Sequence, residues 1–167
     1  MAYKRIYLVG FMGAGKTTIG RLLARKLGWK FVDLDEEIER RERRRIADIF
    51  KNDGEPHFRS LETRYLRDLS FSNKTVIALG GGAFADAANR EIAESTGLTI
   101  WLKVSFTKVA GRVKIDGTRP NFMDPQKAEN LFQAREPHYA RARLHISAQD
   151  GSPETIAEEI IGELRKS

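Results

Sequence analysis

Short apolar runs alternate with amphipathic stretches along this chain, and the alternation predicts its elements. RIYLV (5–9) is a β-branched and aromatic run that fits a buried strand and leads straight into a glycine-rich loop. KTTIGRLLARKLG (16–28) sets Ile19, Leu22, Leu23 and Leu27 on one helical face and stops at Gly28, a C-terminal cap. KFVDLD (30–35) predicts a second strand ending in two aspartates. IADIF (46–50) and EPHFRSLETRYLRDL (55–69) follow as helices, the second with Pro56 in its first turn. TVIAL (75–79) is a third strand, running into Gly80, Gly81 and Gly82. DAANREIAEST (86–96) is helical, LTIWLKV (98–104) is a strand, and SFTKVAGRVKI (105–115) is a helix that Ser105 can cap. Asp124-Pro125 pairs a cap with a first-turn proline to open QKAENLFQA (126–134), and the helix is expected to break before Pro137. LHIS (144–147) is the last strand. Ser152-Pro153 then starts a helix with Ile156, Ala157, Ile160, Ile161 and Leu164 on one side.

Strands separated by helical stretches of ten or more residues predict an α/β domain with a mainly parallel sheet. Crossovers are then right-handed, and ligands sit at the C-terminal ends of the strands. Gly117 to Asp124, GTRPNFMD, has the weakest signal for regular structure and is expected to be a mobile loop.

The loop after the first strand carries the clearest chemistry. Gly10, Gly15, Lys16 and Thr17 fit the pattern G-x-x-x-x-G-K-[ST], and they do so between a strand and a helix, as the motif requires. Backbone N–H groups of residues 13–17 would face a β-phosphate, helped by the positive end of the helix. Lys16 would reach the β- and γ-phosphates, and the Thr17 hydroxyl would bind Mg²⁺.

Candidates for the other half of the reaction are scattered. Asp33 and Asp35, two apart on a predicted strand, should point the same way at its mouth. One can hold a water of the Mg²⁺ shell while the other takes a proton from an attacking hydroxyl. A helix N-terminal cap is an alternative role for Asp35, since Glu36, Glu37 and Ile38 follow. Gly80, Gly81 and Gly82 offer bare backbone to a close ligand, or form only a loose turn. Arg59 and Arg135, taken singly, are ordinary surface arginines.

Composition narrows the classes. Charged residues make up 31% and hydrophobic ones 41%, so the chain is neither a disordered tail nor a membrane span. It contains no cysteine, which excludes disulfides and thiolate zinc sites, and a cytoplasmic enzyme is expected. The net charge of +6 favours anionic ligands. RRERRR (40–45) suggests a nucleic-acid patch in isolation, but from Glu36 to Arg45 four Glu offset five Arg. Glu36/Arg40, Glu37/Arg41 and Glu39/Arg43 are spaced for i,i+4 pairs on a solvated helix, so neither a nucleic-acid nor a membrane partner is expected.

GFMGAGKTTIG, FVDLD, GEPHFRSLE, LGGGA, Arg119-Pro120 and REPHY, in that order, resemble shikimate kinase over residues 5 to about 160. The resemblance implies a three-layer α/β/α P-loop kinase fold, nucleoside-monophosphate-kinase-like, with a five-stranded parallel sheet. It implies one domain over 1–167, with an acceptor segment at about 33–61 and a lid at about 112–124, acting as a monomer. The implied reaction is Mg²⁺- and ATP-dependent phosphorylation of the 3-hydroxyl of shikimate. By the same resemblance Gly13, Ala14, Gly15, Lys16, Thr17 and Thr18 hold the ATP phosphates, and Arg112 and Pro153 flank the adenine. Arg119 reaches the phosphates from the lid, Asp33 helps place Mg²⁺, and Asp35 contacts the acceptor hydroxyls and acts as base. Arg59 and Arg135 clamp the carboxylate, with Gly80, Gly81 and Gly82 lining that pocket. Two departures stand out. ERRR (42–45) replaces a glycine turn, which suggests a more helical acceptor segment, and Asn121-Phe122 replaces a pair of leucines. A gluconate-type P-loop kinase and a non-catalytic relative are the alternatives.

Overall fold

The computed structural model describes residues 2–112 and 124–167. Arg119, the side chain of Arg112 and nearly all of the 112–124 segment, Asn121-Phe122 included, lie outside the described residues.

Five strands form one parallel sheet in the order β2-β3-β1-β4-β5: β1 Arg5–Val9, β2 Lys30–Asp33, β3 Thr75–Ala78, β4 Leu98–Lys103 and β5 Leu144–Ser147. The central strands β1, β3 and β4 are almost wholly buried, as their unbroken apolar runs require, while β2 and β5 at the edges are mixed.

The chain moves outward from β1 to β2, back to β3, then across β1 to β4 and β5. With right-handed crossovers, that reversal puts helix α1 (Lys16–Leu27) on one face. It puts α4 (Glu55–Leu69), α5 (Ala87–Thr96) and α7 (Pro125–Tyr139) on the other. The last helix, α8 (Pro153–Arg165), returns to pack on α1 and buries all five residues of its expected apolar face. Shorter helices α2 (Leu34–Glu42) and α3 (Ile46–Asp53) lie between β2 and α4, and α6 (Phe106–Arg112) follows β4.

Capping follows the expected chemistry. Gly28 closes α1 in a left-handed conformation, donating to the Ala24 and Arg25 carbonyls. Asp124 and Ser152 accept from the first-turn N–H groups of α7 and α8, and Ser105 Oγ accepts from Lys108 N.

Two boundaries differ from expectation. Helix α7 runs through Pro137 to Tyr139. The proline sits in the last turn, where its missing N–H costs a single intrahelical bond. Buried Phe132 and Tyr139, one on each side of it, hold the segment in helical register. Strand β2 stops at Asp33, and Leu34 and Asp35 already belong to α2. Asp33, not Asp35, is the N-cap: its Oδ1 accepts from Glu36 N at 3.1 Å.

The arginine run also behaves differently in detail. Glu37 takes both Arg40 and Arg41 at 2.7 Å, so only one of the expected i,i+4 pairs forms. Glu36 faces Arg21 at 3.5 Å instead, and Glu39 accepts from Ile46 N at the start of α3. The helix ends at Glu42 because Arg43 turns left-handed, at φ 54°. A turn thus stands at 43–45 although an arginine occupies its left-handed position.

A left-handed arginine is strained by about 1 kcal/mol, and glycine relieves that strain at the cost of some unfolded-state entropy. Arg43→Gly is therefore expected to raise the melting temperature by roughly 1–3 °C. A fall in melting temperature contradicts the assignment of strain to this turn.

Candidate active site

Because all five strands are parallel, the loops after β1, β2 and β3 open at one end of the sheet. Leu8 and Asp33 both pair with Ala78, which sets the first loop, the aspartates and the triple glycine at one level.

The loop after β1 is built by its glycines. Gly10 has φ +150°, and a Cβ there would stand 2.9 Å from the Leu102 carbonyl of β4. Gly15 is left-handed at φ 97° and turns the chain into α1. Lys16 Nζ donates to the carbonyls of Gly10 (2.5 Å) and Phe11 (3.0 Å), holding the ammonium across the loop. Phe11 fixes the loop from below, its ring edge-on to Phe132 of α7 at 5.1 Å.

Thr17 and Asp33 form a second element. The Thr17 hydroxyl donates to Asp33 Oδ2 at 3.0 Å while Asp33 Oδ1 caps α2. One carboxylate thus joins the phosphate loop to the helix carrying Asp35. No group of three or more His, Cys, Asp or Glu positioned to cage a metal exists among the described residues. Thr17 and Asp33 instead offer hard oxygen donors beside the loop, a set suited to an ion that keeps water and phosphate ligands.

The remaining candidates converge on the triple glycine. A Cβ on Gly80 would lie 2.8 Å from Asp35 Oδ1. On Gly81 it would lie 3.1 Å from Arg135 Nη1 and 3.7 Å from Met12 N of the phosphate loop. On Gly82 it would lie 2.6 Å from Arg59 Nη2 and 2.9 Å from Arg135 Nη2. Asp35, Arg59 and Arg135, far apart in the chain, therefore crowd one turn, and the glycines leave the space they occupy. This is more than a loose turn.

Burial pushes the Asp35 carboxyl up to about 6, and the nearby Asp33 charge adds to the push; Lys16 and Arg59 oppose it. Glu62, unmarked in the sequence reading, is 1% exposed and accepts from Arg59 Nη1 at 2.6 Å. Burial raises it to about 7 despite that partner. Arg59 is further held by Glu55 at 3.3 Å. Tyr139, also unmarked, donates to the Gly81 carbonyl; burial raises its phenol, with Arg135 pulling the other way. Each residue closes one of the quoted motifs, Glu62 in GEPHFRSLE and Tyr139 in REPHY, and spacing is a further cue. Glu62 lies three residues after Arg59 and Tyr139 four after Arg135, so each shares a helix face with its arginine.

The nucleotide-side candidates are less gathered. Pro153 is the first residue of α8, and the preceding loop is tied to the start of α6 by Gln149, which accepts from Ser105 N at 2.8 Å. Thr18 lies in the first turn of α1.

The sequence profile of the shikimate kinase family matches residues 12–165. A shikimate kinase of Persephonella marina is 44% identical over 97% of this chain and 99% of its own length. Among solved structures, shikimate kinase from Acinetobacter baumannii in complex with shikimate superposes with a TM-score of 0.94 and 37% identity, covering 99% of this chain and 94% of that one. A gluconokinase from Sinorhizobium meliloti reaches a TM-score of 0.63 at 17% identity, covering 98% of this chain and 92% of that one, a likeness of fold alone.

The electrostatics of Asp35 can be read directly by carbon-13 NMR of its carboxyl. A midpoint at about 6 is expected. Asp33→Asn should lower it and Lys16→Met should raise it, since each removes a charge acting in the opposite sense. A midpoint near the ordinary value of about 4, unmoved by either change, contradicts this description.

Proposed function

The chain belongs to the shikimate kinase family and is a phosphotransferase acting on shikimate; from that premise we propose that the residues around Gly80–Gly82 bind the acceptor and take its proton while the loop after β1 holds ATP. The observation that carries this reading is the meeting of two guanidinium groups beside Gly82, with the Asp35 carboxylate against neighbouring Gly80. Shikimate is a small hydroxylated ring with one carboxylate. Two forked guanidinium groups suit the carboxylate, and a single aspartate suits the hydroxyls at the other side of the ring.

Each residue then has a physical task. Arg59 and Arg135 hold the acceptor carboxylate, and Glu62 and Glu55 keep Arg59 in its rotamer. Gly80, Gly81 and Gly82 admit the ring close to backbone. Asp35 accepts the proton of the 3-hydroxyl as its oxygen forms a bond to the γ-phosphorus of ATP. The bond from that phosphorus to the β,γ-bridging oxygen breaks, and ADP leaves. Lys16 and the N–H groups of Gly13 to Thr17 hold the phosphates in line for that displacement, with Thr18 beside them. Arg119, on a lid at about 112–124, adds positive charge on closure and excludes water. Arg112 and Pro153 flank the adenine.

Mg²⁺ fits the oxygen pair on α1 and β2: Thr17 would hold it directly and Asp33 through water, and when bound it neutralises phosphate charge. Asp35 must be ionised to take a proton. Its raised pKa of about 6 leaves it a carboxylate at neutral pH, yet a stronger base than an ordinary aspartate.

ADP release measured in parallel with shikimate, gluconate and nucleoside monophosphates tests the reading. Turnover with shikimate alone is expected; turnover with gluconate and none with shikimate overturns it. Asp35→Asn should lower kcat by roughly 10²- to 10⁴-fold with ATP affinity retained. In the wild type, kcat/KM should fall as pH drops through about 6, because the reactive form is the deprotonated one. A flat profile down to pH ~4 removes Asp35 from the role of base.

A further inference from the structure

Arg59 and Arg135 are carried by α4 and α7, two helices that both pack against the short 3-10 turn at Ala83–Ala85 following Gly82. One helical turn beyond each arginine stands an uncharged residue. Tyr139, four after Arg135, donates its hydroxyl proton to the Gly81 carbonyl. Thr63, four after Arg59, donates to Asn89 Oδ1 at 2.7 Å, and Asn89 Nδ2 donates to the Ala83 carbonyl at 3.0 Å. Asn89 and Tyr139 are each 1% exposed. Their hydrogen-bonding groups are spent on backbone, on Thr63 and, for Tyr139, on the Arg135 side chain, so neither is arranged to touch an acceptor.

The two bonds fall on either side of Gly82, the residue against which both guanidinium groups rest. Arg59 and Arg135 sit on separate rigid helices, so their mutual spacing depends on what joins those helices. The glycine turn is a common anchor, gripped at residue 81 by the Arg135 helix and at residue 83 by Asn89 of α5, which the Arg59 helix holds through Thr63. Neither grip carries charge, so they fix position without competing for the acceptor carboxylate. The orientation of the Asn89 amide follows from the same contacts: Ala83 O can only accept, so the NH₂ group must face it, leaving Oδ1 to Thr63.

We propose that Tyr139 and the Thr63–Asn89 pair are positioning residues that set the separation of Arg59 and Arg135 through the Gly81–Ala83 turn, and thereby the affinity for the carboxylate of the acceptor. The proposal deepens the shikimate reading above and rests on it. A misplacement well under the length of a bond to the carboxylate is enough to loosen a bidentate clamp, whereas the phosphate loop has its own anchors in Gly10, Gly15 and Phe11.

Thr63→Val and Tyr139→Phe keep the shape of each side chain and remove the hydroxyl that makes these bonds, which for Thr63 also lies 3.3 Å from the Arg59 carbonyl. Each is expected to raise the shikimate KM by roughly 3- to 10-fold, with kcat at saturating shikimate and the ATP KM unchanged. Thr63→Ser, which restores the hydroxyl, should restore the shikimate KM. The double variant should raise KM by a factor different from the product of the single effects, because both bonds act on one turn. Melting curves on the same samples separate position from stability. A lowered melting temperature with unchanged shikimate KM, or equal rises in the ATP and shikimate KM values, assigns these residues a merely structural role and overturns the proposal. Failure of the wild type to turn over shikimate is a different result: it brings down the functional reading, and this proposal with it.

Discussion

A methyl group on residue 80, 81 or 82 would meet a functional group of the site, and the rest of the site depends on its absence. Asp35, Arg59 and Arg135 lie as near to this turn as they do only because three successive residues lack a Cβ. Crowding of this kind brings opposite charges out of water together. A carboxylate or guanidinium withdrawn from water alone is costly, but here Arg59 has Glu62 and Glu55, and Asp35 has Lys16 and Arg59 as nearby positive charges. The compensation is incomplete on the acidic side. Burial outweighs attraction at both Asp35 and Glu62, which leaves carboxylates that hold protons more readily than usual.

The sheet delivers these groups to the same place. The order β2-β3-β1-β4-β5 reverses direction at β1, and in such sheets the crevice beyond the strand ends is where ligands bind. The phosphate loop leaves β1, Asp33 ends β2, and the glycine turn follows neighbouring β3. Asp33 is the joint between the two halves, bonding Thr17 with one oxygen and capping the Asp35 helix with the other. The proposed donor and acceptor sides are thus coupled by a single carboxylate, and the Gly81 backbone lies beside Met12 of the loop after β1.

Much of this was legible in residue pattern. Period and length placed the sheet and most helices, and the strand–loop–helix context made Lys16 and Thr17 clear. Asp35 was misplaced on a strand because KFVDLD alternates like one; Asp33 ends the alternation by capping, a competing local bond that the pattern does not display. Pro137 signalled a break, yet burial of Phe132 and Tyr139 outweighs one missing N–H. Arg43 hid a turn behind a residue that normally avoids left-handed backbone. Glu62, Thr63, Asn89 and Tyr139 were missed for another reason. Their contacts link α4, α5, α7 and the glycine turn, and helical spacing says which residues share a face but not what that face meets.

The central claim is that the arginine pair at Gly82 reads the acceptor's carboxylate. It is tested most directly by kcat/KM for shikimate and for its neutral carboxamide, in the wild type and in Arg59→Ala. The wild type should favour the acid by roughly 10- to 100-fold, the scale of a charge-assisted hydrogen bond, and Arg59→Ala should lose most of that preference. Equal discrimination in both proteins would contradict the account.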